Sequence, residues 1–144
     1  MLNKGIDNGM EMSGLQSPMG AQMNIPDKWV VIEVVSDKTK LYRVFACWYG
    51  GWAGSDSWQI NSGIVGVDDQ SKYFDFEGHS GSIYRCNKNS YGLHMYGSSV
   101  LNNLINKAKE KDIIITVLPE DTNWKELIDG TNVAGRDNKT EERE

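Results

Sequence analysis

From residue 29 onward the chain alternates short apolar runs with turns rich in Gly, Ser, Asp and Asn. Trp29 to Val35 is apolar at odd and even positions alike, the pattern of a central strand covered on both faces. The polar run Ser36-Asp37-Lys38-Thr39-Lys40 predicts a turn and Leu41 to Tyr49 a second strand, so the two form an antiparallel hairpin. Alternation puts Tyr42, Val44, Ala46 and Trp48 on one face of that strand and Leu41, Arg43, Phe45, Cys47 and Tyr49 on the other. Trp58 to Val67 reads as a third strand bent or bulged at Gly63. Lys72 to Phe76 and Ser82 to Cys86 follow as two more strands around the tight turn Gly78-His79-Ser80-Gly81.

The period then changes. Val100, Leu101, Leu104, Ile105 and Ala108 fall at helical spacing, with Ser98 or Ser99 placed to cap the start. Lys107, Lys109 and Lys111 sit near the end, where positive charge complements the helix dipole. Ile113 to Leu118 predicts a buried strand stopped by Pro119. Thr122 is placed to cap a short last helix through Ile128, with Gly130 past its end. The expected fold class is α+β: one antiparallel meander of about five to six strands, one main α-helix packed on one face, and a short C-terminal helix. This single domain covers residues 27–130. Residues 1–26 hold five of the six Met without an apolar period and are expected to be a disordered arm, and residues 131–144 a disordered charged tail.

Composition narrows the classes. Hydrophobic residues at 39% and charged residues at 24% are globular values. The apolar runs are too short to span a bilayer, so no membrane partner is expected. A net charge of -5 lacks the phosphate-neutralising excess that drives duplex nucleic-acid binding, unless Arg43, Lys72, Arg85 and Lys88 converge locally. Two cysteines are too few for a disulfide scaffold, and no signal-peptide pattern opens the chain, so the expected location is cytoplasmic.

The segment Tyr42 to Trp58 is the most informative for function. It sets Trp48, Tyr49, Trp52 and Trp58 around Gly50-Gly51 and Gly54, a density of amphipathic rings that suits a recognition surface. Tyr91 and Tyr96, in the polar aromatic segment before the helix, are candidate neighbours. A second candidate is the Gly78–Ser82 turn, where backbone N–H groups with Ser80 and Ser82 can make an anion nest reached by Arg85. His79 and His94 are the only histidines, and His79 is a candidate ligand-binding residue of that turn. The turn lacks the second glycine of a nucleophile elbow and precedes a strand. Cys47, Cys86, His79 and His94 have no metal-ligand spacing, and no dinucleotide or phosphate fingerprint occurs, so no metal, cofactor or catalytic residue is assigned. Asp56, Asp68, Asp69, Asp75 and Glu77 read as solvated turn and strand positions.

Tyr42-Arg43-Val44-Phe45-Ala46-Cys47-Trp48-Tyr49-Gly50-Gly51, with Gly78-His79-Ser80-Gly81-Ser82-Ile83-Tyr84-Arg85-Cys86 and Tyr91-Gly92, resembles small accessory proteins of tailed bacteriophages over residues 29 to 118. That resemblance implies a host-cell cytoplasmic setting and an accessory or counter-defence role; it carries no catalytic residues. The leading expectation is a non-enzymatic recognition module that binds a host protein or a small anionic, nucleotide-like ligand through its aromatic surface. The alternative is a small hydrolase or transferase acting on a phosphorylated substrate at the Gly78–Arg85 turn. A single-strand nucleic-acid binder that stacks bases on the aromatics is a third class, opposed by the acidic balance.

Overall fold

A computed structural model describes residues 22–50 and 54–131. The strands are β1 (Met23–Asn24), β2 (Lys28–Val35), β3 (Lys40–Trp48), β4 (Ser57–Ile60), β5 (Ile64–Asp69), β6 (Tyr73–Gly78), β7 (Ile83–Asn87) and β8 (Ile114–Val117). Helix α1 spans Met95–Lys109, and α2 begins at 124 and continues through 131. Among the described residues the strands form two four-stranded sheets rather than one meander. A hairpin sheet has the order β4-β3-β2-β8, and a meander sheet the order β1-β7-β6-β5.

The expected third strand is where the single sheet fails. The run from 57 to 69 pairs first with β3 and then with β6, so the chain passes from one sheet to the other at Asn61-Ser62-Gly63. Asn61 is buried and caps the edge it leaves. Its N–H donates to the Val44 carbonyl, and its Oδ1 accepts from the N–H of Val44 and of Gly63. Gly63 has φ +122, a conformation that L side chains rarely adopt, so glycine takes the position of this passage that needs a left-handed backbone.

The hairpin behaves as its alternation predicts. β2 and β3 pair from Lys28↔Cys47 to Val35↔Lys40. Their inward residues Trp29, Val31, Tyr42, Val44 and Ala46 meet Val67, Phe76, Tyr84 and Cys86 of the meander sheet. Their outward residues Val30, Ile32, Phe45 and Cys47 pack beneath Leu101 of α1. β2 is thus covered on both faces, and β8 returns antiparallel to its free edge. The layers run meander sheet, hairpin sheet, helix. α2 closes the inter-sheet core with Trp124 and Ile128. No helix of the described residues is long and apolar enough to cross a membrane.

Several local expectations shift. Within the proposed arm, β1 pairs parallel to β7, and Pro26 is buried. The remainder of the proposed arm and the tail from 132 lie outside the described residues. α1 starts earlier than Ser98 or Ser99 can cap, with His94 at the N-cap and no side-chain bond there. Asn123, not Thr122, caps α2, its Oδ1 accepting the Glu126 N–H; Gly130 lies inside the helix.

Gly97 sets how close α1 comes to the hairpin sheet. A Cβ there would lie 2.7 Å from Cys47 Sγ and 3.2 Å from a Leu93 methyl, so only glycine admits this approach. Gly97→Ala should cost about 1–2 kcal/mol in chemical unfolding, the overpacking outweighing the better helix propensity of alanine. In a Cys47→Ala background most of that loss should vanish. Strictly additive effects in the double-mutant cycle would show that the Gly97–Cys47 contact does not set the spacing.

Candidate functional site

The outer face of the hairpin sheet is only partly covered by α1. Near the helix start the cover is tight, through Gly97 on Cys47 and Leu101 in the core. Towards its other end the helix presents the small Ala108 and the half-buried Leu104, and a groove of about 400 Å³ opens beneath them. Ile32 and Val34 of β2, Ile60 of β4 and Ile115 of β8 form its apolar floor. The Ile113 N–H bonds to the Ala108 carbonyl and the Asp112 N–H to the Lys109 carbonyl, with Asp112 at φ 63. This is the Schellman closure with aspartate where glycine is usual, and it folds Ile113 back against Ala108 at the groove's end.

Three cations line this apolar groove: Arg43 from β3, Lys107 in the last turn of α1 and Lys111 in the turn that follows it. The two lysines are explained by the helix dipole alone. Arg43 has no such explanation. Alternation places it on the outer face with Phe45 and Cys47, and its Nε is buried without a hydrogen-bond partner. Burying such a donor unmade costs roughly 1–3 kcal/mol.

The predicted aromatic surface divides between the two faces of the hairpin sheet. Trp58 and Tyr49 lie on the outer face, flanking Cys47. Trp58 stacks on Phe45 at 5.7 Å and remains 38% exposed, one pleat from Ile60 of the groove. The Tyr49 ring stacks on His94 at 4.9 Å, and its hydroxyl accepts the His94 N–H, which ties the helix start to β3. Trp48 points the other way; its Nε1 donates to the Ile25 carbonyl and its ring packs at the edge of the inter-sheet core. Tyr91 belongs to that core, where its hydroxyl accepts the Val31 N–H and donates to the Leu118 carbonyl. Tyr96 is half-buried in the first turn of α1, and Trp52 lies outside the described residues.

The Gly78–Ser82 turn spends its donors internally. The N–H groups of Gly78, His79, Ser80 and Gly81 bond to Ser82 O, Gly63 O, Ser62 Oγ and Gly78 O. Ser80 Oγ and Ser82 Oγ face each other at 3.5 Å, and the His79 residue is exposed. Arg85 lies on the far face of the meander sheet in a bidentate pair with Asp75, both bonds 3.0 Å, and stacks over Tyr73. Arg43 and Arg85 therefore occupy opposite outer faces, and Lys88 is held by Asp69, so the basic patch does not assemble. Lys88 also covers Phe74 at the mouth of a smaller pocket, about 180 Å³, walled by Trp29, Tyr91 and Trp124. The four residues considered for zinc are dispersed, and no group of three ligating side chains gathers among the described residues.

Pattern reasoning missed the groove as a site. Arg43 interrupting an apolar outward row was its visible signal. No family model, curated protein or solved structure matches this chain.

Both thiols are buried, Cys47 against α1 and Cys86 in the inter-sheet core. Burial, with Asp56 secondary, pushes Cys47 from 9 up to about 11. Burial also raises Cys86, and lifts Tyr84 from 10 to about 12. A raised acid favours the folded state while it stays neutral. That stability is intact below pH 9, where the unfolded thiol titrates, and is lost as pH rises towards 11. Folding stability should therefore fall steeply from pH 9 upward, and a thiol reagent at neutral pH should label neither cysteine before unfolding. Rapid labelling of Cys47 in the native protein would contradict the tight helix contact.

Proposed function

We propose that this protein is a binding module without catalytic chemistry of its own, and that its ligand occupies the groove between α1 and the outer face of the hairpin sheet. The observation that carries this is an apolar cleft of about 400 Å³ lined by an arginine that makes no ion pair among the described residues. Its size falls within the ~300–1,000 Å³ typical of small-ligand sites, and apolar walls with few polar groups are their usual make-up. The partly exposed Trp58 extends the apolar surface beyond Ile60 and is suited to hold the end of a bound molecule.

The alternative hydrolase or transferase reading needs free amides at the Gly78–Ser82 turn and an arginine able to meet a phosphoryl group. Those amides and Arg85 are engaged elsewhere, so the geometry favours binding at the groove. A bacteriophage accessory or counter-defence role in a host cytoplasm is a further proposal that rests on the resemblance over residues 29 to 118.

Nile red, an uncharged apolar dye, should bind the native protein with a rise in fluorescence. Ala108→Trp, and separately Ile60→Trp, should fill the groove and weaken dye binding about tenfold or more, with the native circular-dichroism spectrum retained. Dye binding that both folded variants leave unchanged would place the apolar site elsewhere and reject the groove.

A further inference from the structure

The charges around the groove identify the class of its ligand. An apolar ligand alone would need no cation in the lining, where the Arg43 guanidinium gives up hydration at its Nε. Arg43 is nevertheless set among Ile32, Val34 and Ile60, with Nε buried and unbonded. Its guanidinium makes no ion pair among the described residues. Lys107 on the facing helix and Lys111 in the turn after it are again without an acidic partner among the described residues. The chain as a whole is acidic, at -5, so an all-cationic lining at this one apolar cleft runs against its overall balance. Arginine presents a planar fork of donors that matches a carboxylate, and the remaining groove wall offers only hydrocarbon.

We propose that the groove binds a free, medium-chain aliphatic carboxylate, with the carboxylate on Arg43 and the chain lying between Leu104, Ala108 and the isoleucine floor. This rests on the groove being the binding site and adds the chemistry of its occupant. A carboxylate pairs with the terminal nitrogens of the Arg43 guanidinium, which are not among the buried unpartnered atoms, and its chain covers the surface that α1 leaves open. Lys107 and Lys111 flank the mouth, where they steer the anion and contribute more to association rate than to residence. The volume of about 400 Å³ suits a medium-length chain rather than a long-chain lipid with its headgroup.

Calorimetric titration of the full chain with decanoate and with decanol tests this. Both have the same hydrocarbon tail, so their difference reads the charge contact. Decanoate should bind at least tenfold more tightly. Arg43→Met should abolish that preference, roughly a ten- to hundredfold loss for decanoate, while leaving decanol and Nile red binding in place. Arg43→Met should also melt no lower than the parent, because it replaces an unpaired buried donor with a side chain of similar length. Lys107→Gln with Lys111→Gln should lower decanoate affinity only a fewfold and flatten its salt dependence.

If Arg43→Met does not fold, the Arg43 Nε–H resonance of the unsubstituted protein replaces it, and decanoate but not decanol should shift that resonance downfield. Equal affinity for decanoate and decanol overturns the proposal, and so does a preference that survives Arg43→Met or an unmoved Nε–H signal. Binding to phosphatidylglycerol vesicles in preference to free decanoate overturns it in favour of a lipid surface. If Nile red fails to bind the groove, the binding site itself is at fault; if Nile red binds there and the charge preference is absent, only the ligand class fails.

Discussion

Trp29 holds the fold together. It is buried on β2, and its Nε1 donates 2.8 Å to the Asn87 carbonyl at the end of β7, so one side chain joins the two sheets by a hydrogen bond. Its ring meets Phe74 and Phe76 of the meander sheet, Tyr91 of the segment leading to α1, and Trp124 of α2, at centroid distances from 4.7 to 6.3 Å. β6, the end of β7, the Tyr91 segment and α2 are therefore positioned against the same indole. The backbone around it adds to this, since its carbonyl accepts the Gly92 N–H and the Tyr91 hydroxyl links the neighbouring Val31 to Leu118 beyond β8. Aromatic pairs add roughly 0.5–1.5 kcal/mol each beyond the area they bury. Four such contacts and a part-buried hydrogen bond make this position a principal link between the two sheets.

The site follows from that arrangement. With its inner face committed to the Trp29 core, the hairpin sheet must cover its outer face with one helix. Tyr91 and Gly92 deliver the chain to the β2 side, and Gly97 seats the helix closely over Cys47. One helix is narrower than a four-stranded sheet. The surface over β3 and β4 is left to Arg43, Trp58 and Ile60, and the groove is the space between Arg43, Ile60, the floor of Ile32, Val34 and Ile115, and the C-terminal half of α1. A cleft formed by incomplete cover between rigid elements is pre-formed, which favours binding without a large ordering cost.

Most local elements were legible in the sequence, though Ile113 to Leu118, read as a buried strand, forms the exposed edge strand β8, and β1 and the helix caps were not found. Alternation identifies both faces of β3 and the central position of β2, because a doubly covered strand must be apolar throughout. Helical spacing finds α1. What separates two sheets from one is the partner of each strand, and the passage at Asn61 depends on a side chain replacing a backbone pair, which no local pattern announces. The tryptophan-rich segment shows a related limit. Trp48 and Trp58 are close in sequence, yet the pleat sends their rings to opposite faces, and Tyr91 spends its ring on the core. Arg43 was legible as a polar interruption on an apolar face, whereas its unmet donor emerges only when α1, β4 and β8 are all in place.

The central claim is that the apolar cleft beside α1 is a binding site with its charge contact at Arg43. The most direct measurement is a set of intermolecular nuclear Overhauser effects between bound decanoate and the isotopically labelled protein. The account predicts contacts from the ligand methylenes to the methyl groups of Ile32, Ile60, Leu104 and Ile115, with the end next to the carboxylate nearest Arg43. Contacts confined to Trp124, Phe74 or the Gly78–Ser82 turn, with silent isoleucine methyls in the groove, would contradict it.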